Sequence, residues 1–336
     1  MKIIGIETSC DETAAAVVKN GTRILSSVVA SQIEVHREYG GVVPELASRR
    51  HIEVIAPVVS RALEDAQITA RELDGVSVTQ GPGLVGALLV GFSFARAYAY
   101  ALDLPWTGVD HLHGHLSSVF LSKPAPDFPF AALLASGGHT GIYLVDSHTD
   151  FKCLGHTRDD AAGEAFDKVA KMLNLGYPGG QVISQLAEVG NPEKIRFPRA
   201  YLDKDAFDFS FSGIKTAVKR HIETHEDYHF HLTDIAAGFQ AAVVDVLADK
   251  LILAAEKHNC TRIALVGGVA ANAALRKKIS DEAKTRKLSV FIPDIELCGD
   301  NAAMIAAAGY HSLSDPRGPR GQLDDDVYSR VLSKWV

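Results

Sequence analysis

The sequence predicts an internally duplicated α/β protein, and three observations carry that prediction. Apolar runs of strand length alternate with amphipathic helical stretches. A strand-turn-strand pattern occurs near residue 4 and recurs near residue 132; a strand, glycine loop and helix occur near residue 76 and recur near residue 263. Pro124, Pro126 and Pro129 lie between the halves and set a boundary near residue 125. The expected division is therefore 1–125 and 126–336, the second half carrying an inserted polar, partly helical segment over 190–232.

The elements follow in order. Ile3-Ile4-Gly5-Ile6 and Ala14-Ala15-Ala16-Val17-Val18 flank the polar turn Glu7 to Thr13 and read as a hairpin. Val54, Val58 and Leu63 have helical spacing. Gly75 to Thr79 is a strand that feeds Gly81-Pro82-Gly83 and a helix from Leu84. Ala131 to Leu134, the turn Ser136 to Thr140, and Gly141 to Val145 repeat the hairpin. Arg262 to Val266 is a strand that feeds Gly267-Gly268-Val269 and a helix from near Ala271. Residues 193–231 break the pattern. They hold seven basic residues, seven acidic ones and four histidines, so they read as a solvated insertion.

Composition removes several classes. At 47% hydrophobic and 22% charged, the chain can bury enough surface to offset its ordering entropy, so it is not a disordered protein. Cys10, Cys153, Cys260 and Cys298 are scattered, with no Cys-x-x-Cys pair; this argues against a disulfide scaffold or zinc ribbon and for a reducing cytoplasm. Met1-Lys2-Ile3-Ile4-Gly5 runs directly to Glu7, unlike a signal peptide. The most apolar window, Leu84 to Leu102, contains Arg96, Gly86, Gly91 and Ser93 and reads as a buried helix, with no membrane span. The net charge of −7 argues mildly against nonspecific nucleic-acid binding, although local patches decide that question.

The sharpest chemical signal is His111-Leu112-His113-Gly114-His115. On a helix, His111 and His115 share one face with Cβ atoms about 5–6 Å apart, a separation that suits one metal ion, while His113 points away. Asp300 reads either as a third ligand or as the N-cap of the Ala-rich helix that follows. Two histidines and a carboxylate leave open coordination positions, as in Fe(II) or catalytic Zn sites. A metalloprotease would need a Glu directly after the first histidine, where Leu112 stands. Ser136-Gly137-Gly138, Tyr177-Pro178-Gly179-Gly180 and Gly267-Gly268 are glycine turns of the kind that face a phosphate, without a P-loop or dinucleotide fingerprint. Asp11 and Glu12, in the first turn, read either as acid–base groups or as turn residues. His221, His225, His229 and His231 read as a solvated surface. Lys194, Arg196, Arg199, Lys215, Lys219 and Arg220 permit a polyanionic partner, as do Arg49-Arg50 and Arg276-Lys277-Lys278.

A larger set of motifs runs in order from residue 3 to about 310. It comprises Ile6-Glu7-Thr8-Ser9-Cys10-Asp11-Glu12-Thr13, Gly40-Gly41-Val42-Val43-Pro44-Glu45, Gly81-Pro82-Gly83-Leu84, His111 to His115, Ser136-Gly137-Gly138-His139-Thr140, Asp159 to Lys168, Asp208 to Gly213, and Asp300-Asn301. Together these resemble the bacterial tRNA threonylcarbamoyladenosine synthase (TsaD) family. The resemblance implies a duplicated actin/Hsp70/sugar-kinase fold, two α/β subdomains with a cleft between them. It implies transfer of a threonylcarbamoyl group from threonylcarbamoyl-AMP to the exocyclic amine of the adenosine 3′ of the anticodon, in tRNAs reading codons that begin with A. Carried over by motif, His111, His115 and Asp300 hold one divalent ion, Fe2+ or else Zn2+. Leu134, Ala135, Ser136, Gly137 and Gly138 contact the adenylate, completed by Asp167, Gly180 and Asn272. Glu12 or Asp11 accepts the amine proton. The implied partners are tRNA, a TsaB-like paralogue and a TsaE-like P-loop ATPase; a homodimer or heterodimer would use helices of the first half, around Gly83 to Leu102.

There are departures. Ala135 stands where the family often has Val, Asp110 where it often has His, and Gly299 where it often has Thr; Ser184 replaces a substrate-binding Asp, so that contact is not carried over. Two other readings compete. An ATP-dependent small-molecule kinase on the same fold would need a carboxylate base but no histidine pair. A non-catalytic scaffold of a tRNA-modifying complex would keep its function without that pair.

Overall fold

The computed structural model describes residues 1–201, 206–322 and 324–330. The chain opens with β1 (Lys2–Glu7), β2 (Glu12–Lys19) and β3 (Arg23–Ser31), an antiparallel meander. Ile3, Ile4, Ile6 and Ala14 to Val18 are all buried. Such continuous apolar runs, rather than alternating ones, suit a sheet covered on both faces. Two helices follow, α1 (Ile33–Arg37) and α2 (Pro44–Asp65), then β4 (Gly75–Gly81), α3 (Val85–Leu102), β5 (Trp106–Asp110) and α4 (His111–Ser117). The first sheet has the order β3-β2-β1-β4-β5, with β1–β4 and β4–β5 parallel.

The second sheet is built from β6 (Phe130–Ala135), β7 (Thr140–Val145) and β8 (Phe151–His156), followed by α5 (Ala162–Met172), α6 (Gly179–Glu188), α7 (Ser212–Thr224), α8 (Leu232–Lys257), β9 (Arg262–Val266), α9 (Ala273–Arg286) and β10 (Ser289–Phe291). Its order is β10-β9-β6-β7-β8. The β6–β7 and β7–β8 pairs are antiparallel, whereas β6–β9 and β9–β10 are parallel. Strand for strand this repeats the first sheet in order and direction, as the recurring sequence patterns predict. The expected insertion contains α7 and a short turn of helix at Tyr228–His231; its residues 202–205 lie outside the described residues.

One expectation is corrected. The last helix, α10 (Ala302–Ser314), belongs to the first sheet, so the second half does not run unbroken from 126 to 336. One compact unit comprises Met1–Ala125, Ser147–Asp150 and the described residues of Pro293–Val336; the other comprises Pro126–Asp146 and Phe151–Ile292. The reason is burial. On one face of the first sheet, α2 and α3 pack Val58, Val59, Phe92 and Ala95 against Ile4, Ile6, Val76 and Val78. Its other face, carrying Ile3, Ala14, Ala16 and Val18, is covered by Ala302, Ala303, Ala306 and Leu313 of α10. The approach is close enough that a Cβ on Gly5 would lie 2.2 Å from the Ala302 carbonyl oxygen. The helix α3 has the length and apolarity of a membrane span; Phe92, Ala95 and Ala99 lie in this core, but Val85, Leu89 and Tyr100 are exposed, so the helix is buried along one face and not all round as the sequence suggested.

Candidate functional site

In the first unit, β5 runs directly into α4, and Asp110 caps that helix. Its Oδ1 accepts from the Leu112 and His113 amides at 2.9 and 3.3 Å. Capping fixes the start of the helix and puts His111 and His115 one turn apart, ring centroids 4.7 Å from each other. Gly114 lets α4 lie close against α10, where a Cβ would meet Ile305 Cδ1 at 2.7 Å. That approach brings the start of α10 to the histidines. Asn301 caps α10, its side chain accepting from the Met304 amide at 3.0 Å. Asp300 is therefore spared that role, which the sequence left open. Its Oδ1 lies 3.2 Å from His115 Nε2 and 3.6 Å from His111 Nε2. The three side chains offer ligand atoms that all lie within 4.8 Å of one another. His113 points away as expected, with Nε2 2.7 Å from the His148 carbonyl oxygen.

The donor set fits a metal ion. His115 is fully buried, and neither of its ring nitrogens has a hydrogen-bond partner, since the approach to Asp300 lacks hydrogen-bond geometry. A buried imidazole left unsatisfied is costly; an ion shared with Asp300 and His111 would satisfy its Nε2. His111 shows the complementary feature. Its Nδ1 lies 3.0 Å from Glu7 Oε2, which directs the other ring nitrogen, Nε2, towards Asp300. Metal-binding histidines are oriented by such carboxylates. Glu7 is itself fully buried and accepts from Thr79 Oγ1 at 2.6 Å and from the Ser9 amide at 2.5 Å. Sequence reasoning gave Glu7 no role, because the residue closes a strand and its partner lies 104 residues away.

The charged groups of the site shift one another. Burial works to raise the Glu7 carboxyl, but the His111 charge and hydrogen bond outweigh it and hold it below the ordinary value. Burial works to lower His111, yet Asp300 and Glu7 raise it to about 9. Without an ion, a proton on His111 offsets one of the two carboxylates; a divalent cation would offset both. Asp11 is buried in the β1–β2 turn and Glu12 begins β2. Burial, then the charges of Asp11 and Asp300, push Glu12 up to about 9, and Ser31 Oγ donates to it at 3.2 Å. A nearby cation would act in the opposite sense and favour the carboxylate.

The predicted adenylate residues all fall in the second unit. Leu134 and Ala135 end β6, beside the parallel strand β9 in the register Leu134↔Val266. Gly267, at φ +89°, lets the loop after β9 pass the Ala135 carbonyl oxygen, where a Cβ would sit only 2.4 Å away. Ser136, Gly137 and Gly138 form the turn into β7, closed by Ser136 N donating to the His139 carbonyl at 2.8 Å. The space beside both glycines is open for 4 Å. Gly163, in the first turn of α5, packs against Ser136 and Gly137. Further along α5, Asp167 Oδ1 accepts from the Gly179 amide at 2.8 Å, tying α5 to the start of α6, where Gly180 is also open. Asn272 caps α9 and donates to Gln240 Oε1 at 2.7 Å.

The basic residues offered for polyanion binding are largely ion-paired. Lys194 meets Asp234 at 3.0 Å, Arg199 meets Asp245 at 2.8 Å, Lys215 meets Asp160 at 2.5 Å, Lys219 meets Glu223 at 3.7 Å, and Arg196 meets Glu193. Arg49 and Arg50 pair with Glu45 and Glu53.

Comparison with known proteins agrees with this architecture. Full-length HypF, solved in a phosphate- and nucleotide-bound form, superposes with TM-score 0.61 at 15% identity, over 93% of this chain and 46% of that one. Component A of the Acidaminococcus fermentans (R)-2-hydroxyglutaryl-CoA dehydratase superposes with TM-score 0.57 at 14% identity, over 94% and 100%. These likenesses concern the fold alone, and it is the expected duplicated actin-like one. The tRNA N6-adenosine threonylcarbamoyltransferase of Desulforapulum autotrophicum is 58% identical over 98% of this chain and 99% of its own length. The relative of the same name from Desulfotalea psychrophila is 54% identical over 98% and 97%. The family profile described as TsaD: tRNA N6-adenosine threonylcarbamoyltransferase matches residues 23–307. The chain belongs to that family, the transferases that threonylcarbamoylate tRNA.

Proposed function

We propose that the chain takes its threonylcarbamoyl group from threonylcarbamoyl-AMP and passes it to N6 of the adenosine 3′ of the anticodon, in tRNAs reading codons that begin with A, around an ion held by His111, His115 and Asp300. The observation that carries this reading is the buried, unsatisfied His115 beside Asp300, with His111 oriented by Glu7. Two imidazoles and one carboxylate with open positions are the donor set of non-haem Fe(II) sites, which favours Fe2+ over Zn2+. When bound, the ion supplies Lewis-acid polarisation of substrate oxygens.

The rest falls to the chain's own side chains. A bond forms between N6 and the carbamoyl carbon, the carbon–oxygen bond of the mixed anhydride breaks, and AMP leaves with the electron pair. The proton on N6 passes to Glu12 or Asp11, in the unit that carries the histidines. The turn Ser136 to Gly138, open beside its glycines, holds the donor through Leu134 and Ala135, with Asp167, Gly180 and Asn272 completing the contacts. An adenine amine is a weak nucleophile, so positioning supplies much of the rate. The target base must leave its stack to be reached.

Work alongside a TsaB-like paralogue and a TsaE-like ATPase is supported by apolar side chains exposed on α2 and α3, namely Ile52, Val85, Leu89 and Tyr100. A homodimer would use the same face. Free thiols at all four cysteines support a cytoplasmic setting.

Mass spectrometry of nucleosides from tRNA incubated with the chain, its partners and threonylcarbamoyl-AMP tests the reading. Threonylcarbamoyladenosine is expected with the wild type and absent with His115→Ala. Unmodified tRNA with the wild type would refute the transfer; full modification by His115→Ala would refute the site. ATP-dependent phosphorylation of a small molecule instead would point to the kinase reading.

A further inference from the structure

The described chain beyond α10 turns back along the first unit and ends at the helix that carries the histidines. Three hydrogen bonds pin it there. Arg96 Nη1 on α3 donates to the Asp325 carbonyl at 3.3 Å, Gln80 Nε2 on β4 donates to the Asp326 carbonyl at 2.8 Å, and the Tyr328 amide donates to the Gln80 carbonyl at 3.1 Å. Tyr328 then crosses Gly81, where a Cβ would lie 2.2 Å from its carbonyl oxygen. Gly81 is the register partner of Asp110 on the neighbouring strand. Across that pair the Tyr328 hydroxyl donates to Asp110 Oδ2 at 2.7 Å. The two oxygens of Asp110 are thus divided: Oδ1 caps α4, and Oδ2 is held by the tyrosine.

We propose that Tyr328 is a positioning residue for the metal centre: its hydroxyl fixes the Asp110 cap, and the cap fixes the turn of α4 on which His111 and His115 converge. The hydroxyl touches neither histidine. It removes the freedom of Asp110 to rotate away from the helix start, so the chain's C-terminal strap sets the geometry of ligands near its middle. A helix of seven residues has little rigidity of its own, so its first turn depends on its cap. The half-buried phenol is held in its un-ionised, donating form, because burial and then the Asp110 charge raise it far above its usual range.

This inference rests on the reading of His111, His115 and Asp300 as metal ligands, and the test separates the two. Fe2+ and Zn2+ affinities are measured by chelator competition on the full chain, with the thermal midpoint of the metal-free protein recorded beside them. One ion per wild-type chain is the condition for the underlying reading; without it, that reading fails. Tyr328→Phe is expected to bind the ion about tenfold more weakly, at the low end for outer partners of a metal site, with its metal-free midpoint unchanged. Asp110→Ser, which keeps a cap but loses the tyrosine's acceptor, is expected to weaken binding similarly, and adding Tyr328→Phe to it should cost nothing more. Wild-type affinity in Tyr328→Phe overturns the proposal. So does an equal further loss in the Asp110→Ser background, or a fall in the metal-free midpoint that accounts for the whole effect.

Discussion

Glu7 shows at the scale of one residue how a buried carboxylate becomes useful. Thr79, the Ser9 amide and His111 surround it, and its charge selects which nitrogen of His111 faces Asp300. Glu7→Gln keeps the shape but loses the charge, leaving His111 free to adopt either tautomer. Metal affinity should fall about 10–100-fold, while His113→Ala, whose ring points to His148, should bind metal as the wild type does. Competition with a chelator reads both; unchanged affinity in Glu7→Gln would make Glu7 only a satisfied core carboxylate. The histidine pair was legible because its spacing is local. Asp300 was half-legible, since a carboxylate just before the Ala-rich helix reads as a cap as readily as a ligand, and only the structure gives the cap to Asn301. Glu7 was not legible as a partner, because nothing near it in sequence announces a histidine 104 residues away.

At the scale of elements, the second unit is held by a carboxylate clamp between helices. Asp160 lies just before α5 and binds Lys168 on α5 at 2.6 Å and Lys215 on α7 at 2.5 Å. Beside it, Asp159 accepts from the Phe211 and Ser212 amides at the start of α7. Burial works to raise Asp160, but the two lysines outweigh it and hold the carboxyl below the ordinary aspartate value. A depressed carboxyl stabilises the fold above the unfolded value, and that stabilisation is lost as pH falls through the lower folded one. Asp160→Asn should therefore cost about 1–2 kcal/mol in denaturant unfolding at neutral pH, and the difference from wild type should shrink as pH falls below the ordinary aspartate range. A penalty that stays constant with pH would mean the clamp acts through packing alone. The repeated strand patterns were legible because strand, turn and helix signals are local. The return of α10 to the first sheet was not. Its Ala302, Ala303, Ala306, Ala307 and Ala308 are buried all round, and a helix apolar on every side does not state which sheet it covers.

For the whole molecule, two sheets of one topology carry two different kinds of candidate site: histidines and carboxylates on the first, open glycine turns on the second. The net charge of −7 and the paired basic residues leave few local cations for tRNA binding. Binding should weaken steeply with salt. Reversing Lys219 and Arg220, on α7, should lower tRNA affinity and flatten the logarithmic salt slope by about one for each phosphate that is no longer neutralised, with donor affinity unchanged. An unaltered slope would move the tRNA interface to Arg49-Arg50 or to a partner. On the proposed reading, the chemistry of the first unit depends on an ion held by His111, His115 and Asp300, and elemental analysis of the purified chain tests this most directly. A single divalent ion is expected per wild-type chain, and none in His115→Ala or Asp300→Ala proteins whose circular dichroism and melting match the wild type. Equal metal in all three would contradict the assignment of these residues as ligands.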